Sequence, residues 1–373
     1  MTERVDTVVV GAGQAGLALS AELCARGREH VVLERGRIGE SWRTQRWDSF
    51  RLVTPAWMSG LPGAPLPCSR DGFASLDAFV GSLEHYAVQR SLPVRAGVGV
   101  VAVTQDGDGF RVRTTQGTLA AARLAVAAGG QNRPLVVRAF AEALDPRIAQ
   151  LHVADYRSPD RLPPGGVLVV GGAQSGAQVT AELVASGRRV LFATSPVRRA
   201  PRRYRGRDML SWWDAMGWFA QRPEDLDPAQ VRARLPMLSG VGGGTTLSLH
   251  QLARDGVVVL GRLAAADGSR VALAGDRVAN VRAGDAGAEG FRTAVEQWLA
   301  GDGRDEQAPP PEPDPVETPC PALLHEPGPS SVDLLREGVG SVIWCTGFGP
   351  ALEWLGQVDG ALHRDGGPRH RRG

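Results

Sequence analysis

The sequence predicts an α/β chain built around two copies of one glycine-loop unit, and three observations carry that expectation. The stretch VVVGAGQAGLALSAEL occupies residues 8–23, a near copy, VLVVGGAQSGAQVTAEL, occupies 167–183, and residues 93–126 alternate around the turn signals DGDG and TTQG. Each glycine stretch follows a β-branched run and opens an apolar-periodic segment, which together read as strand, tight turn and helix.

Taken in order, Val5 to Val10 is a strand because β-branched side chains suit a pleated, half-buried surface. Leu17 to Ala25 reads as the following helix, and His30 to Leu33 as a second strand ending at Glu34. The unit repeats from Val167 to Thr194. Between the copies, 93–126 reads as a β-meander closing on LAVAAGG. Beyond Pro196 the chain is rich in Arg and Trp, then carries the loop GVGGG and a helix expected from Asp285 to Leu299. Residues 308–331, APPPEPDPVETPCPALLHEPGPSS, hold too much proline for helix or central strand and read as a linker or surface excursion. The run GVGSVIWCTGFGP then reads as a buried strand and a glycine turn.

Composition narrows the function classes. A chain of 373 residues with 43% hydrophobic and 22% charged residues has room for two cores. The net charge of +2 is spread along the length, unlike the concentrated basic surface that a phosphate backbone requires, so nucleic acid is not an expected partner. All 42 basic residues are arginine, which excludes a Schiff-base lysine, a P-loop lysine and a lysine nucleophile. Cys24, Cys68, Cys320 and Cys345 form no CxxC and no zinc spacing, so they read as reduced thiols, and no metal site is expected. The N-terminus lacks a signal-peptide pattern and no apolar run approaches the ~20 residues of a membrane span. A cytoplasmic protein is expected.

The glycine loops state their own chemistry. Free N–H groups at a helix N-terminus attract a pyrophosphate, and glycine lets the backbone approach it. Gly11, Gly13 and Gly16 fit those roles, and Glu34, 23 residues after Gly11, is placed to accept from a ribose diol. The second copy has Gly171, Ala173, Ser175 and Gly176. Its counterpart of Glu34 is Thr194, followed by Ser195 and an arginine cluster at Arg198, Arg199, Arg202, Arg203 and Arg205. No acid stands there to repel a 2′-phosphate, and guanidinium groups grip phosphate bidentately, so NADPH is expected over NADH. The alternative for any one of these arginines is a solvated basic loop. Ala173 adds a methyl at the phosphate approach, and weakened rather than abolished binding is expected.

With both loops and their flanks in view, the chain resembles the class B flavin-containing monooxygenases, most closely the short bacterial CzcO-like group, over about residues 5–354. The carriers are the two glycine stretches, VVLERGRIGESWRTQRWDSFRLVTPAWMSGLPG, LAVAAGGQNRP, LHVADYRSP, RRAPRRYRGRD and VIWCTGFGP. The resemblance implies two dinucleotide-binding (Rossmann-like) domains, with FAD on the first loop, NADPH on the second, and the NADPH domain inserted in the FAD domain. It places the FAD domain at 1–160 plus 333–373, the NADPH domain at 161–307 and a Pro-rich linker at 308–332. It matches Gly39, Ser41, Trp42, Arg43, Val100, Ala128 and Gly129 to flavin contacts, and Thr346 and Gly347 to a second turn at the domain junction. It further implies that NADPH reduces the flavin and that O2 adds to give a C4a-(hydro)peroxide, which oxygenates a small molecule at nitrogen, sulfur or a carbonyl.

Three departures from the family pattern stand out. Of its FxGxxxH(S/T)xxY fingerprint only His152 and Tyr156 are present, with Pro146 and Ile148 at the aromatic and glycine positions; Tyr at the end leans toward N- or S-oxygenation, and a packed turn is the alternative role for His152. Thr54 stands where eukaryotic-type members carry an asparagine near the flavin, and is the candidate hydrogen-bond partner of the peroxide or else a structural threonine. Relatives continue past the point where this chain stops, so a shortened FAD domain with an exposed sheet edge is expected. Trp212, Trp213 and Trp218 line an apolar pocket or pack a core. Two other readings stay open: a pyridine nucleotide-disulfide reductase, which needs a redox-active cysteine pair, and a non-catalytic flavin and nucleotide binder.

Overall fold

The β-branched run at 5–10 becomes β1 (Glu3–Val10), buried over its last four residues at the centre of a six-stranded sheet. The computed structural model describes residues 2–130, 133–226, 235–301 and 308–369. On one side of β1 lie β2 (His30–Glu34) and β3 (Val94–Ala96), both parallel. On the other side the meander β4 (Val100–Asp106), β5 (Gly109–Thr114) and β6 (Gly117–Val126) joins through β6, which runs parallel to β1. Both turn signals act as read: Asp106 pairs with Gly109 and Thr114 with Gly117, each across a two-residue hairpin loop.

After β7 (Arg133–Pro134), the strands β8 (Ala149–His152), β9 (Gly166–Val170), β10 (Val190–Ala193), β13 (Val258–Leu260) and β17 (Val339–Trp344) build a second, all-parallel sheet in the order β13-β10-β9-β17-β8. Unbroken burial of β9 and β10 is what a parallel sheet covered on both faces demands. Smaller pieces are the ribbon β11 (Arg203–Tyr204) with β12 (Arg207–Asp208), the antiparallel sheet of β14 (Leu263–Asp267), β15 (Arg270–Leu273) and β16 (Ser331–Asp333), and β18 (Phe348–Gly349), which pairs with β7. One apolar cluster runs through both main units, from Val9, Leu17 and Val32 to Val167, Ala177 and Phe192. No described helix is long and apolar enough to cross a membrane.

Three expectations are corrected. First, the boundaries at 160 and 333 do not follow the sheets: β8 and β17 are hydrogen-bonded to each other within the second sheet. The chain returns to the first sheet only beyond β18, where Leu352 and Leu355 are buried against the meander and Gln357 bridges to Thr104 in β4. The boundary at 307 and the last four residues, 370–373, lie outside the described residues, as do Gln131 and Asn132 of the motif that follows β6.

Second, the helix expected from Asp285 begins eight residues earlier and spans Arg277–Leu299. Its buried positions, among them Asn280, Val281, Gly284, Ala288, Phe291 and Val295, keep helical spacing throughout. Gly284 and Gly287 let the helix lie close to the chain beside it; a Cβ at Gly287 would sit 3.0 Å from the Arg199 carbonyl oxygen.

Third, the Pro-rich segment, expected to hold no helix, forms a short one at Pro321–His325, and as a whole it is a strap held by arginines. Arg254 donates to the carbonyls of Pro315, Val316 and Thr318, Arg277 to those of Ala322 and Glu326, and Arg199 and Arg292 both reach Glu317. Proline removes backbone donors but leaves every carbonyl free to accept, so a Pro-rich strand suits a surface studded with guanidinium groups.

Candidate functional site

The two glycine loops are matched atom for atom in the backbone. Gly11 donates to the Leu33 carbonyl at 2.8 Å and Gly171 to the Ala193 carbonyl at 3.0 Å; Ala127 and Cys345 donate to Val10 and Val170, each at 2.8 Å. Gly11 and Gly171 adopt φ of +106° and +117°, and a Cβ on either would strike the carbonyl of the residue that follows the neighbouring strand, Ala127 or Cys345. A Cβ on Gly16 or Gly176 would fall on the carbonyl oxygen of Gly11 or Gly171, so both glycines set the closeness of helix to strand.

Only the middle position differs. Gly13 and Ala173 are the N-caps of the helices Gln14–Ala25 and Gln174–Ala185, with φ/ψ of −85°/−173° and −83°/−167°. A Cβ on Gly13 would meet no protein atom within 4 Å, so this glycine answers to no packing need inside the chain. Both cradles therefore offer free helix N-terminal N–H groups, and one methyl distinguishes them.

The first cradle gathers most of its expected partners. Glu34 accepts from Ala12 N–H through one oxygen and from Gly36 N–H through the other, each at 2.9 Å, which holds the carboxylate at the end of β2 beside the loop. Gly39, at φ +69°, donates to the Ala12 carbonyl. Ala128 and Gly129 follow the residue that closes on Gly11, and Val98 N–H donates to the Glu34 carbonyl, bringing Val100 to the same edge. Ser41 is exposed nearby. Trp42 donates to Gln14 Oε1 at 3.0 Å, while Arg43 turns away to pair with Glu84 at 2.6 Å.

Beside this cradle opens a cavity of ≈ 380 Å³, walled by Gln14, Trp42, Leu52, Thr54, Met58 and Phe79, with Ser59 and Leu61 among the rest. Thr54 is one of these walls, its hydroxyl 2.7 Å from that of Ser59. Sequence reasoning missed Gln14 and Ser59. The signal for Gln14 was present, since GAGQAG and GGAQSG carry glutamine at the same offset; the second, Gln174, is used to accept from Leu238 N–H at 2.9 Å.

The arginine expectation is corrected at three positions. Arg199 is buried and paired with Asp285 and Glu317, and Arg202 is 1% exposed and paired with Asp208 at 2.8 Å. Both are structural, because a buried guanidinium has to be met by acids. Arg205 is likewise committed to Glu296. Arg203 is exposed and donates to the Gly243 carbonyl, and Arg198 is exposed with no partner for its guanidinium among the described residues. Ser195 N lies 2.8 Å from the place a Cβ on Gly172 would take, which brings Ser195 against the second loop; Ser175 stands on the helix's first turn.

His152 and Tyr156 do not line the cavity beside the first cradle. His152 Nδ1 accepts from Ala154 N–H and Nε2 donates to the Gly347 carbonyl, each at 3.1 Å, fixing a neutral tautomer that burial further favours by pulling its pKa down. The Thr346–Gly347 turn is thus pinned from one side by His152 and from the other by Leu135, whose carbonyl accepts from Thr346 and whose N–H donates to Gly347. Trp212 is fully buried and donates to the Tyr204 carbonyl, and Trp213 stacks on Trp218 at 4.6 Å; none of the three lines the cavity.

Tyr156 donates to Glu182 Oε2 at 2.9 Å and Ser49 to Oε1 at 2.6 Å, so Glu182 fastens the first unit to the second unit's helix. Burial raises the Glu182 carboxyl above its ordinary 4.5. The folded state then binds that proton more readily than the unfolded one, so this group subtracts stability as pH climbs through the window above 4.5 and contributes nothing below it. Glu182→Gln, which keeps an acceptor for Tyr156, is expected to flatten the fall of stability with pH in that window; urea denaturation at a series of pH values checks it.

Comparison with known proteins adds three findings. The model of the pyridine nucleotide-disulphide oxidoreductase family matches residues 8–207. Among curated proteins, the chain is 34% identical over 218 residues to an uncharacterized CzcO-like oxidoreductase of Geobacillus kaustophilus, covering 58% of this chain and 62% of that one, and 34% identical over 183 residues to the rice indole-3-pyruvate monooxygenase YUCCA1, covering 48% and 45%. It spans about three fifths of the length of the first of these. Among solved structures, a flavin-containing monooxygenase from Stenotrophomonas maltophilia shares the fold at a TM-score of 0.64 and 21% identity, over 99% of this chain and 86% of that one.

Proposed function

The chain belongs to the pyridine nucleotide-disulphide oxidoreductase family, and from that premise we propose that it is an FAD- and NADPH-dependent monooxygenase acting on a small molecule at nitrogen or sulfur, with O2 as co-substrate. The observation that supports this most directly is the duplicated cradle: two backbone-equivalent phosphate sites, of which the first leaves open space at Gly13 that no side chain fills.

FAD fits the first cradle through Gly11, Gly13, Gly16 and Glu34, with Gly39, Ser41, Trp42, Val100, Ala128 and Gly129 around it. NADPH fits the second through Gly171, Ala173, Ser175 and Gly176, with Ser195, Arg198 and Arg203 toward the 2′-phosphate. When bound, FAD supplies hydride acceptance and oxygen activation, and the protein supplies placement and exclusion of water. Thr54 offers a hydroxyl donor in the cavity beside the first cradle.

Within the family, the dithiol route is disfavoured on chemistry. Cys24 and Cys68 are exposed and neither lines the cavity, and burial pushes the Cys345 thiol far up, away from the thiolate that exchange requires. The rice and Stenotrophomonas relatives named above are monooxygenases, which supports the oxygen-using branch.

The test is reconstitution of the full chain with FAD, followed by NADPH-driven oxygen uptake. Flavin uptake with peroxide released in the absence of substrate is expected; a chain that takes up no FAD, or that turns over disulfides without consuming oxygen, overturns the proposal. Arg198→Ala is expected to raise the KM for NADPH about tenfold, ~1.4 kcal/mol, and leave that for NADH unchanged. Thr54→Ala is expected to oxidise NADPH at an unchanged rate while releasing more of the oxygen as peroxide, read by coupled peroxide assay.

A further inference from the structure

We propose that the cleft between the free edge of the second sheet and the small antiparallel sheet binds a compact carboxylic acid with an apolar body. The site stands apart from the oxygenation proposed above and makes no use of either cradle.

The floor of this cleft is apolar and comes from both sheets. β13 ends the second sheet, so Val258 has a neighbouring strand on one side only, where it pairs with the buried Leu191 of β10. Val332 of β16 and Pro329 close the cleft from the small sheet. Its volume of ≈ 350 Å³ falls at the small end of ligand sites and suits a short branched carbon chain. Leu191 precedes Ala193, whose carbonyl accepts from Gly171 at the second cradle, so the cleft lies toward the opposite end of β10 from the nucleotide loop.

Four ionised side chains rim this floor, and they do not cancel. Glu337 is paired with Arg189, which does not line the cleft. Asp333 is met by the protein's own donors: the Arg336 N–H at 3.2 Å, the Ser269 hydroxyl and the Leu335 N–H, which hold its carboxyl below its ordinary 3.8. Arg270 stands opposite Asp333 across the β15–β16 ladder and donates to the Ser331 hydroxyl at 3.2 Å. Arg336 is exposed, with no partner for its guanidinium among the described residues. With Glu337 offset by Arg189, two guanidinium groups face the single carboxylate of Asp333, which leaves a surplus of one positive charge beside an apolar floor.

That surplus selects the ligand. A guanidinium fork answers a carboxylate through paired N–H donors, and the floor answers the carbon skeleton behind it. A zwitterion fits less well, because its ammonium group would reach an Asp333 already met by three donors. A neutral molecule of the same shape leaves the arginines unanswered.

The test is ligand-observed NMR titration of the full chain at neutral pH with three probes of one skeleton: 4-methylpentanoate, its neutral amide, and leucine, which adds an ammonium group. 4-Methylpentanoate is expected to bind about fivefold more tightly than either of the others, the modest factor that exposed arginines allow. Arg270→Gln and Arg336→Gln, both at exposed positions, are each expected to bring the carboxylate down toward the amide, and Val258→Trp, which fills the cleft, to weaken both. Because helix N-termini also attract anions, the titration is repeated with FAD and NADP+ added, and the preference is expected to persist. Equal binding of acid and amide, tighter binding of leucine, binding of no probe, a preference lost on adding the nucleotides, or one unaltered in both arginine variants overturns the proposal.

Discussion

Arg202→Ala should destabilise the protein by about 3–5 kcal/mol, the largest single effect expected from any arginine in the chain. The side chain is 1% exposed. Its Nε donates to Asp208 at 2.8 Å, one terminal nitrogen donates to the Val53 carbonyl at 2.9 Å, and its guanidinium lies 4.3 Å from the centre of the Phe73 ring. Truncation leaves Asp208 charged and buried, and it removes the guanidinium that links that acid to the Val53 carbonyl of the first unit. Asp208 also caps the helix Met209–Ala215 by accepting from Leu210 N–H, so its two roles separate in a second variant. Arg202→Met/Asp208→Asn keeps the cap, removes both charges and should regain most of the loss. Urea denaturation of the wild type and both variants measures this, and a double variant no more stable than the single one would refute the ion-pair account.

The second large effect separates two glycines three residues apart. Gly16→Ala should yield little folded protein, because its methyl would fall on the Gly11 carbonyl oxygen and backbone on both sides has to yield. Gly13→Ala should fold with unchanged thermal stability, since no protein atom lies within 4 Å of the added methyl, yet bind FAD about tenfold less tightly, ~1.4 kcal/mol. The mirror change, Ala173→Gly, should bind NADPH at least as tightly as the unaltered chain. Thermal melts paired with flavin and nucleotide titrations read all three. A Gly13→Ala protein with full flavin affinity would show that the open space serves some other purpose.

How much of this was legible beforehand follows from the range of the forces involved. The loops, their strands and helices, and the hairpins at Asp106–Gly109 and Thr114–Gly117 were readable because each is set by neighbours within a few residues. Gly13 and Ala173 could be recognised as the odd pair from the two stretches alone. The roles of Arg199 and Arg202 could not. Whether an arginine meets a ligand or a protein acid depends on what stands opposite, and here those acids are 285 and 317, brought close by the tertiary fold, and 208, turned back by the β11–β12 ribbon. The same holds for β17, whose apolar run fixes a buried strand but not which sheet receives it. Proline content argued against any helix between 308 and 331, where a short one, Pro321–His325, forms on its N-terminal proline, and it was silent on the arginines that bind the segment's carbonyls.

The strap has a consequence for how the protein meets acid. In a chain without lysine, the side chains that fasten it are guanidinium groups, those of Arg199, Arg254, Arg277 and Arg292. Their carboxylate partners are the halves that acid can discharge. Burial pushes the Asp285 carboxyl up, but the hydrogen bonds from His250 and Arg199 outweigh that and hold it below its ordinary 3.8; the stability it lends is present above 3.8 and drains away as pH falls through the lowered value. The Arg199–Asp285 fastening of the second unit thus lets go from the acid side.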